Sequence, residues 1–467
     1  ASQKGLGLNW ERYEKQQPQD GFLRLGLSCP YGCMQGPCRI DPYGRGADRG
    51  ICGLDRDAMA AASLLRLTLQ GVMEAMHLHR SDHYGAEIAW TAPLDKKAAA
   101  VMEKFGGAPL STREIIESAI MLSRPSATPE AIVRQSLRLA ILGIGLAEAD
   151  RKPENSSGFS DCRAGYGLLA GDAITIGIAG AIPEALVRAL MEETAGSKNP
   201  EVRLISLGDW IPAGGVLLPI VCTSGEAETT FASGRFNLLL AGHGIDPGIP
   251  ALCTKLKVPL VSSVDNPKAA AIIKQARAAF DRRTPASFTP DATLIGKGRL
   301  SLGAVDVETA LQDGQSSKIA LLGGADTLLQ SLGHLPVELA KALRGENHAV
   351  ASWGDAALWM VKADLPVGIL EANEGPLTAV RVLAAKGKLS ALKGICFTGL
   401  KDCRELAFAL GLAALGLKVS VAVPLPLWGS EKVCTTLREN LAAAGGHLTH
   451  FDHPAKADEI LNWFLRS

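Results

Sequence analysis

Ala173-Ile-Thr-Ile-Gly-Ile178, then Pro183-Glu-Ala-Leu-Val-Arg-Ala-Leu-Met-Glu-Glu193, then Val202-Arg-Leu-Ile-Ser206: a short apolar run, a helical segment and a second run follow one another closely. A run that is apolar almost throughout, not on alternate positions, belongs to a strand covered on both faces. A helix between two such strands carries the chain to a parallel neighbour. The same texture recurs at 216–222, 236–240 and 258–261, which predicts one doubly wound sheet. A polar, proline-containing segment at 282–298 separates it from further runs at 318–322, 349–352, 367–370, 394–397 and 419–423. These predict a second α/β domain. Upstream, between 53 and 150, apolar residues recur at threes and fours, with helices expected over 112–122 and 128–149; the second has Thr128 as cap and Pro129 at its first position. Residues 152–160 make a polar break. The expected fold class is therefore α/β, with an N-terminal all-helical domain (1–151) followed by two Rossmann-like parallel-sheet domains (152–290 and 291–467).

The chain has 467 residues, 47% of them apolar and 21% charged, with 48 Lys and Arg against 48 Asp and Glu. That composition suits globular domains and leaves no basic excess to attract nucleic acid or anionic lipid. The uncharged stretch 406–417 ends at Lys418, well short of the roughly 20 apolar residues needed to span a bilayer. Residues Ala1-Ser2-Gln3-Lys4 do not open a secretion signal, so a cytoplasmic protein is expected. In that reducing compartment ten cysteines serve better as ligands than as disulfides.

Four of the ten fall close together. Cys29-Pro-Tyr-Gly-Cys33-Met-Gln-Gly-Pro-Cys38 is broken by Pro30, Gly32, Gly36 and Pro37, and Cys52 follows in Gly50-Ile51-Cys52-Gly53. Such a stretch favours a loop folded around a compact object, with several thiolates turned inward. Four thiolates suit a cubane iron–sulfur cluster or zinc. Zinc sites usually come as two close pairs, whereas three clustered cysteines with a remote fourth are more typical of a [4Fe-4S] cluster, and that cofactor is expected on Cys29, Cys33, Cys38 and Cys52. A purely structural cluster is the alternative.

Cys33-Met-Gln-Gly-Pro-Cys38-Arg39-Ile40 with Gly50-Ile51-Cys52-Gly53 resembles the cluster-binding region of the anaerobic nickel–iron carbon monoxide dehydrogenases and their relatives, the hybrid-cluster proteins. The order of parts is similar as well, over almost the whole chain. Two features depart from the family. Three residues separate Cys29 from Cys33 where the family has two, and nothing before Cys29 supplies the cysteines of a cluster shared across a dimer axis. In the resembled enzymes one histidine and five cysteines at strand ends hold the catalytic nickel–iron–sulfur cluster. The segment matching the histidine turn reads Gly180-Ala181-Ile182-Pro183, and Cys222-Thr223-Ser224-Gly225 matches a ligand loop. The remaining ligands would fall near Gly244, Gly323-Gly324, Gly354-Asp355 and Thr398-Gly399, none of them cysteine. The resemblance thus implies the fold but no carbon monoxide oxidation, since a soft-metal cluster depends on its full ligand set.

Other residues are candidates for a rebuilt site. Cys222, His243, Asp355, Cys396 and Cys403 lie at or just past expected strands and could meet between the α/β domains, where His, Cys and carboxylate would suit zinc or iron. Such a second metal site is conceivable but not predicted. Lys432 in Ser430-Glu431-Lys432 and the segment from His77 to His83 resemble residues near the family's cavity, although a surface amine and a solvated helix face explain them equally well. Cys162, Cys253 and Cys434 read as buried small hydrophobes. The dinucleotide fingerprint, the phosphate loop and the serine-hydrolase elbow are all missing. Three functions follow: an iron–sulfur electron-transfer protein, an oxidoreductase with a remodelled metal centre, or an assembly subunit with a structural cluster. Its partners would be a redox protein or a small-molecule substrate, within a homodimer or a larger redox complex.

Overall fold

A computed structural model describes residues 8–15, 24–78, 95–105, 111–123, 127–149, 159–197, 200–213, 216–246, 248–282, 290–301, 318–370, 375–451, 453 and 455–466. Contacts divide the chain into two units, each built from discontinuous segments. Unit one comprises Ala1–Gln16, Glu154–Ser316 and Ala325–Thr378; unit two comprises Gln17–Pro153, Ser317–Gly324 and Ala379–Ser467.

In unit one the strands lie in the order His348–Trp353, Gly368–Ile369, Gly296–Ser301, Phe159–Ala164, Ile220–Cys222, Val202–Leu207, Ile174–Ala179, Phe236–Ala241 and Leu260–Ser262. All neighbours in this row are parallel except Phe159–Ala164 and Gly296–Ser301, which run antiparallel. Period-two alternation sorts the continuous apolar runs between two cores. Leu238 and Leu240 face a core shared with Val187, Leu190, Ile272 and Ile273, from helices Glu184–Thr194 and Ala269–Phe280. Leu239 instead joins Phe231 and Leu252, from helices Ala227–Ala232 and Gly248–Leu256, on the other side. Both faces are therefore covered, as the sequence pattern predicts.

Unit two combines the N-terminal helices with a four-stranded parallel sheet, in the order His447–His450, Lys418–Val421, Leu392–Phe397 and Lys318–Gly323. Helices Arg56–Leu78, Pro129–Ala149 and Cys403–Ala414 pack against one another. Small residues permit this. A Cβ on Gly71 would lie 2.0 Å from the Cys403 carbonyl oxygen, and one on Gly411 would lie 2.6 Å from that of Ala140. Thr128 accepts from the Ala131 N–H at 3.3 Å, capping the helix that starts at Pro129.

The chain crosses between units at 16/17, 153/154, 316/317, 324/325 and 378/379. The position 290/291, expected as a boundary, lies inside unit one, because Gly296–Ser301 is hydrogen-bonded along its whole length to Phe159–Ala164. The second series of strands is correspondingly divided. His348–Trp353 and Gly368–Ile369 stay with unit one through the Ile369–Leu300 pairing, while the other three runs belong to unit two.

Candidate metal centre

The cysteine loop belongs to unit two. An antiparallel bridge between Ser28 and Arg39 pinches its base, and the Cys29 N–H donates to the Cys38 carbonyl at 2.9 Å. Cys29 and Cys38 are thereby held opposite one another. Cys52 returns in a turn closed by the Gly53 N–H on the Gly50 carbonyl at 2.9 Å and the Gly50 N–H on the Leu54 carbonyl at 2.8 Å. Beneath the loop, Leu27, Ile40 and Met59 form a small core that Cys29, Cys38, Leu25 and Leu54 join. Residues near 430 anchor this assembly. The Gly429 N–H donates to the Leu25 carbonyl at 2.8 Å, Ser430 Oγ donates to Asp57 Oδ1 at 2.6 Å, and Gly26 (φ 76°) passes so close that a Cβ would fall 2.2 Å from the Pro426 oxygen.

All four thiols are free, with Cys33 and Cys52 exposed and Cys29 and Cys38 half-buried. Burial pushes the Cys29 thiol up, against the lowering effect of the Tyr31 N–H, and the Cys38, Cys52 and Cys33 sulfurs push it further. A positively charged metal core among the four relieves that mutual repulsion. Two sulfurs already accept backbone hydrogen bonds, Cys33 from the Gln35 N–H and Cys38 from the Ile51 N–H, each at 3.4 Å. Gly50 keeps the flank of Cys38 open, since a Cβ there would lie 3.6 Å from its sulfur and 3.0 Å from Met59. Among the described residues no three His, Cys, Asp or Glu side chains are gathered tightly enough to share a single ion, these cysteines included. Four thiolates suit a cubane iron–sulfur cluster or zinc alike. The donor set and its cradle fit a cubane. Burial, with the Cys29 and Cys52 thiols, pushes the neighbouring Tyr31 hydroxyl up to about 12.

The strand-end candidates are arranged differently. Cys222 ends strand Ile220–Cys222 in unit one and is fully enclosed; burial pushes its thiol well up, and Glu226 adds to the effect. Asp355 is buried nearby and accepts from the Asp326 N–H at 3.0 Å. Lys362 reaches the same region, with Nζ 2.6 Å from Glu226 Oε2. Tyr166 donates to Glu226 Oε1 at 2.9 Å, the Thr223 N–H donates to Oε2 at 3.1 Å, and Trp359 Nε1 donates to Asp326 Oδ1 at 2.8 Å. Desolvation is the main influence raising Asp326. His243 is exposed, its backbone bridged to Ala181 with N–H to carbonyl distances of 2.8 and 3.2 Å. Cys396 is buried in unit two, and Cys403, in the same unit, donates to Gln70 Oε1 at 3.7 Å. Lys432 is a surface residue paired with Glu130 at 2.7 Å, which holds that carboxylate down to about 2. His77 is exposed at the end of its helix, and 79–83 lie outside the described residues.

No protein-family model matches the chain. Over 83 residues, 18% of this chain and 12% of the relative, it is 48% identical to carbon monoxide dehydrogenase 1 of Methanosarcina mazei. Over a stretch of the same length it is 50% identical to the carbon monoxide dehydrogenase of Rhodospirillum rubrum, again 12% of that relative. The sequence match thus spans about an eighth of those proteins. In structure, carbon monoxide dehydrogenase IV from Carboxydothermus hydrogenoformans superposes with a TM-score of 0.86 at 18% identity, covering 100% of this chain and 96% of that one. A nickel-free carbon monoxide dehydrogenase from Thermococcus sp. AM4 gives 0.80 at 17%, covering 100% and 94%. The chain shares the fold of these carbon monoxide dehydrogenases over its whole length, and about half of the matched sequence over 83 residues.

The sequence reading included Glu226 in the Cys222 loop without giving it a role, and it overlooked Lys362, Tyr166 and Asp326. Glu226 stands four residues past Cys222, so its place at the strand end was readable. Lys362 carries no local signal, because its partner lies 136 positions away.

Proposed function

We propose that the chain is an iron–sulfur redox protein that holds one [4Fe-4S] cluster on Cys29, Cys33, Cys38 and Cys52 and exchanges single electrons with a redox protein or a small-molecule substrate. The observation that carries this is the four-cysteine loop, with two sulfurs already accepting N–H donors and Cys33 and Cys52 exposed. The cluster would supply one-electron chemistry at a potential set by hydrogen bonding and exposure. The chain's own part is to hold the sulfurs apart, donate from Gln35 and Ile51, and keep the Cys33 and Cys52 side open. A complete nickel–iron cluster is not part of this proposal. Of the six ligand positions the resemblance assigns, Cys222 alone keeps its donor, and an ammonium–carboxylate pair lies close to it. A cytoplasmic, anaerobic setting and a homodimer or larger redox complex complete the proposal. No described helix is long and apolar enough to cross a membrane.

Anaerobic reconstitution tests it. About four iron atoms per chain and an electron paramagnetic resonance signal on reduction are expected; a chain that takes up only zinc refutes it. The Cys29→Ser variant is expected to lose that iron, and a second metal surviving there would instead favour a remodelled centre around Cys222, His243 and Asp355. A second reading, a structural cluster in an assembly subunit, draws on the anchoring of the loop to Pro426, Gly429 and Ser430. A cluster that resists reduction, in a chain that unfolds without it, would favour that reading.

A further inference from the structure

We propose that the Tyr31 hydroxyl donates a hydrogen bond to a sulfur of the [4Fe-4S] cluster and raises its reduction potential. This rests on the cluster reading above. Tyr31 occupies the widened spacing between Cys29 and Cys33. The side chain is only 9% exposed, and its Oη is sealed from solvent with no partner among the described residues. A buried hydroxyl left without a partner costs about 1–3 kcal/mol, so such groups are nearly always satisfied. A second sealed hydroxyl without a partner among the described residues, Ser28 Oγ, stands on the other side of Cys29 in sequence. A cluster sulfur held by this loop would supply the acceptor that the Tyr31 hydroxyl lacks.

The physics gives the sign. One-electron reduction makes the cluster more negative, so a donor to its sulfur is stronger in the reduced state and lifts the potential. The proton stays on Oη throughout, and no bond is made or broken beyond the hydrogen bond itself. Tyr43, 75% exposed in the same stretch of chain, has water to satisfy it and serves as the control.

The test uses the full chain, reconstituted anaerobically with iron and sulfide, as wild type, Tyr31→Phe and Tyr43→Phe. Iron is counted first, and the signal is then titrated against potential with dithionite as reductant. Tyr31→Phe is expected to keep its iron while the reduced-to-oxidised ratio at fixed potential drops about tenfold, or about 59 mV for a one-electron couple; Tyr43→Phe stays at the wild-type value. Equal midpoints in all three iron-replete proteins overturn the assignment. So does a Tyr31→Phe chain that takes up no iron while wild type does, since the hydroxyl then serves folding and not the potential. A wild type without iron overturns the cluster reading itself, and the iron count reveals this before any titration.

Discussion

Lys362 Nζ lies 2.6 and 2.8 Å from the two carboxylate oxygens of Glu226, and the rings of Trp359 and Tyr166 stand 4.4 and 4.9 Å from it. The ammonium is therefore satisfied by a carboxylate and two π faces instead of by water. Removing one member strands the other. Lys362→Met is expected to destabilise the chain by about 3–5 kcal/mol, while the double variant with Glu226→Gln recovers most of the loss. Denaturant midpoints of the single and double variants check this. A single variant as stable as wild type would show the pair to be solvated.

The cysteines separate into two reactivity classes. Burial pushes Cys162, Cys253 and Cys396 up to about 12 and Cys222 still higher. Since the thiolate is the nucleophile, these four are expected to resist iodoacetamide at neutral pH in the folded chain, whereas Cys33 and Cys52 are modified once metal is withheld. Peptide mass mapping after a short exposure distinguishes the sites; early modification of Cys222 would contradict the packing around it.

Glu405 supplies a pH dependence. Desolvation, aided by Asp402, lifts its carboxyl from 4.5 to about 7. A carboxyl raised on folding binds its proton more tightly in the native state, so its contribution falls as pH rises from the unfolded value to the folded one. Stability is therefore expected to decline between about pH 4.5 and 7, by about 2–3 kcal/mol from this group, and to level off above. Glu405→Gln flattens that slope. Comparing unfolding midpoints at pH 5 and 7.5 for the two proteins measures it, and parallel curves would remove Glu405 as the source.

Gly71 sits where two helices of unit two touch. With a Cβ there falling 2.0 Å from a backbone oxygen, Gly71→Ala cannot be absorbed by rotating a side chain. A loss of about 1–3 kcal/mol is expected. The companion change Gly196→Ala, which adds no Cβ contact but sits at φ 79°, gauges the cost of backbone strain alone. A smaller loss at Gly71 than at Gly196 in thermal melts would speak against close approach there.

Much of the α/β layering was readable because apolar runs such as 236–240 leave no solvent face. Neighbour order was less so. Gly296–Ser301 reads as a linker, Gly-Lys-Gly-Arg-Leu-Ser, yet it lies between two strands of unit one. Its glycines are packing devices: a Cβ on Gly298 would lie 2.9 Å from Val361 and 3.0 Å from the Cys162 sulfur. The cysteine loop stands out in the sequence because its four thiols are near neighbours there. The Lys362–Glu226 pair was not, since local periodicity carries no information about a contact made across the fold, and Tyr31 gained its interest only from burial.

The loop that carries Cys29 to Cys52 is seated on Pro426, Gly429 and Ser430. On a ribosome its thiols emerge some 370 residues before that seat is synthesised (430 less 52 is 378). On the proposed reading, loading of the cluster would therefore wait on translation of residues 426–430. A nascent chain stalled short of residue 424 is expected to carry no bound iron when supplied with iron and sulfide, and one released past residue 451 is expected to bind it.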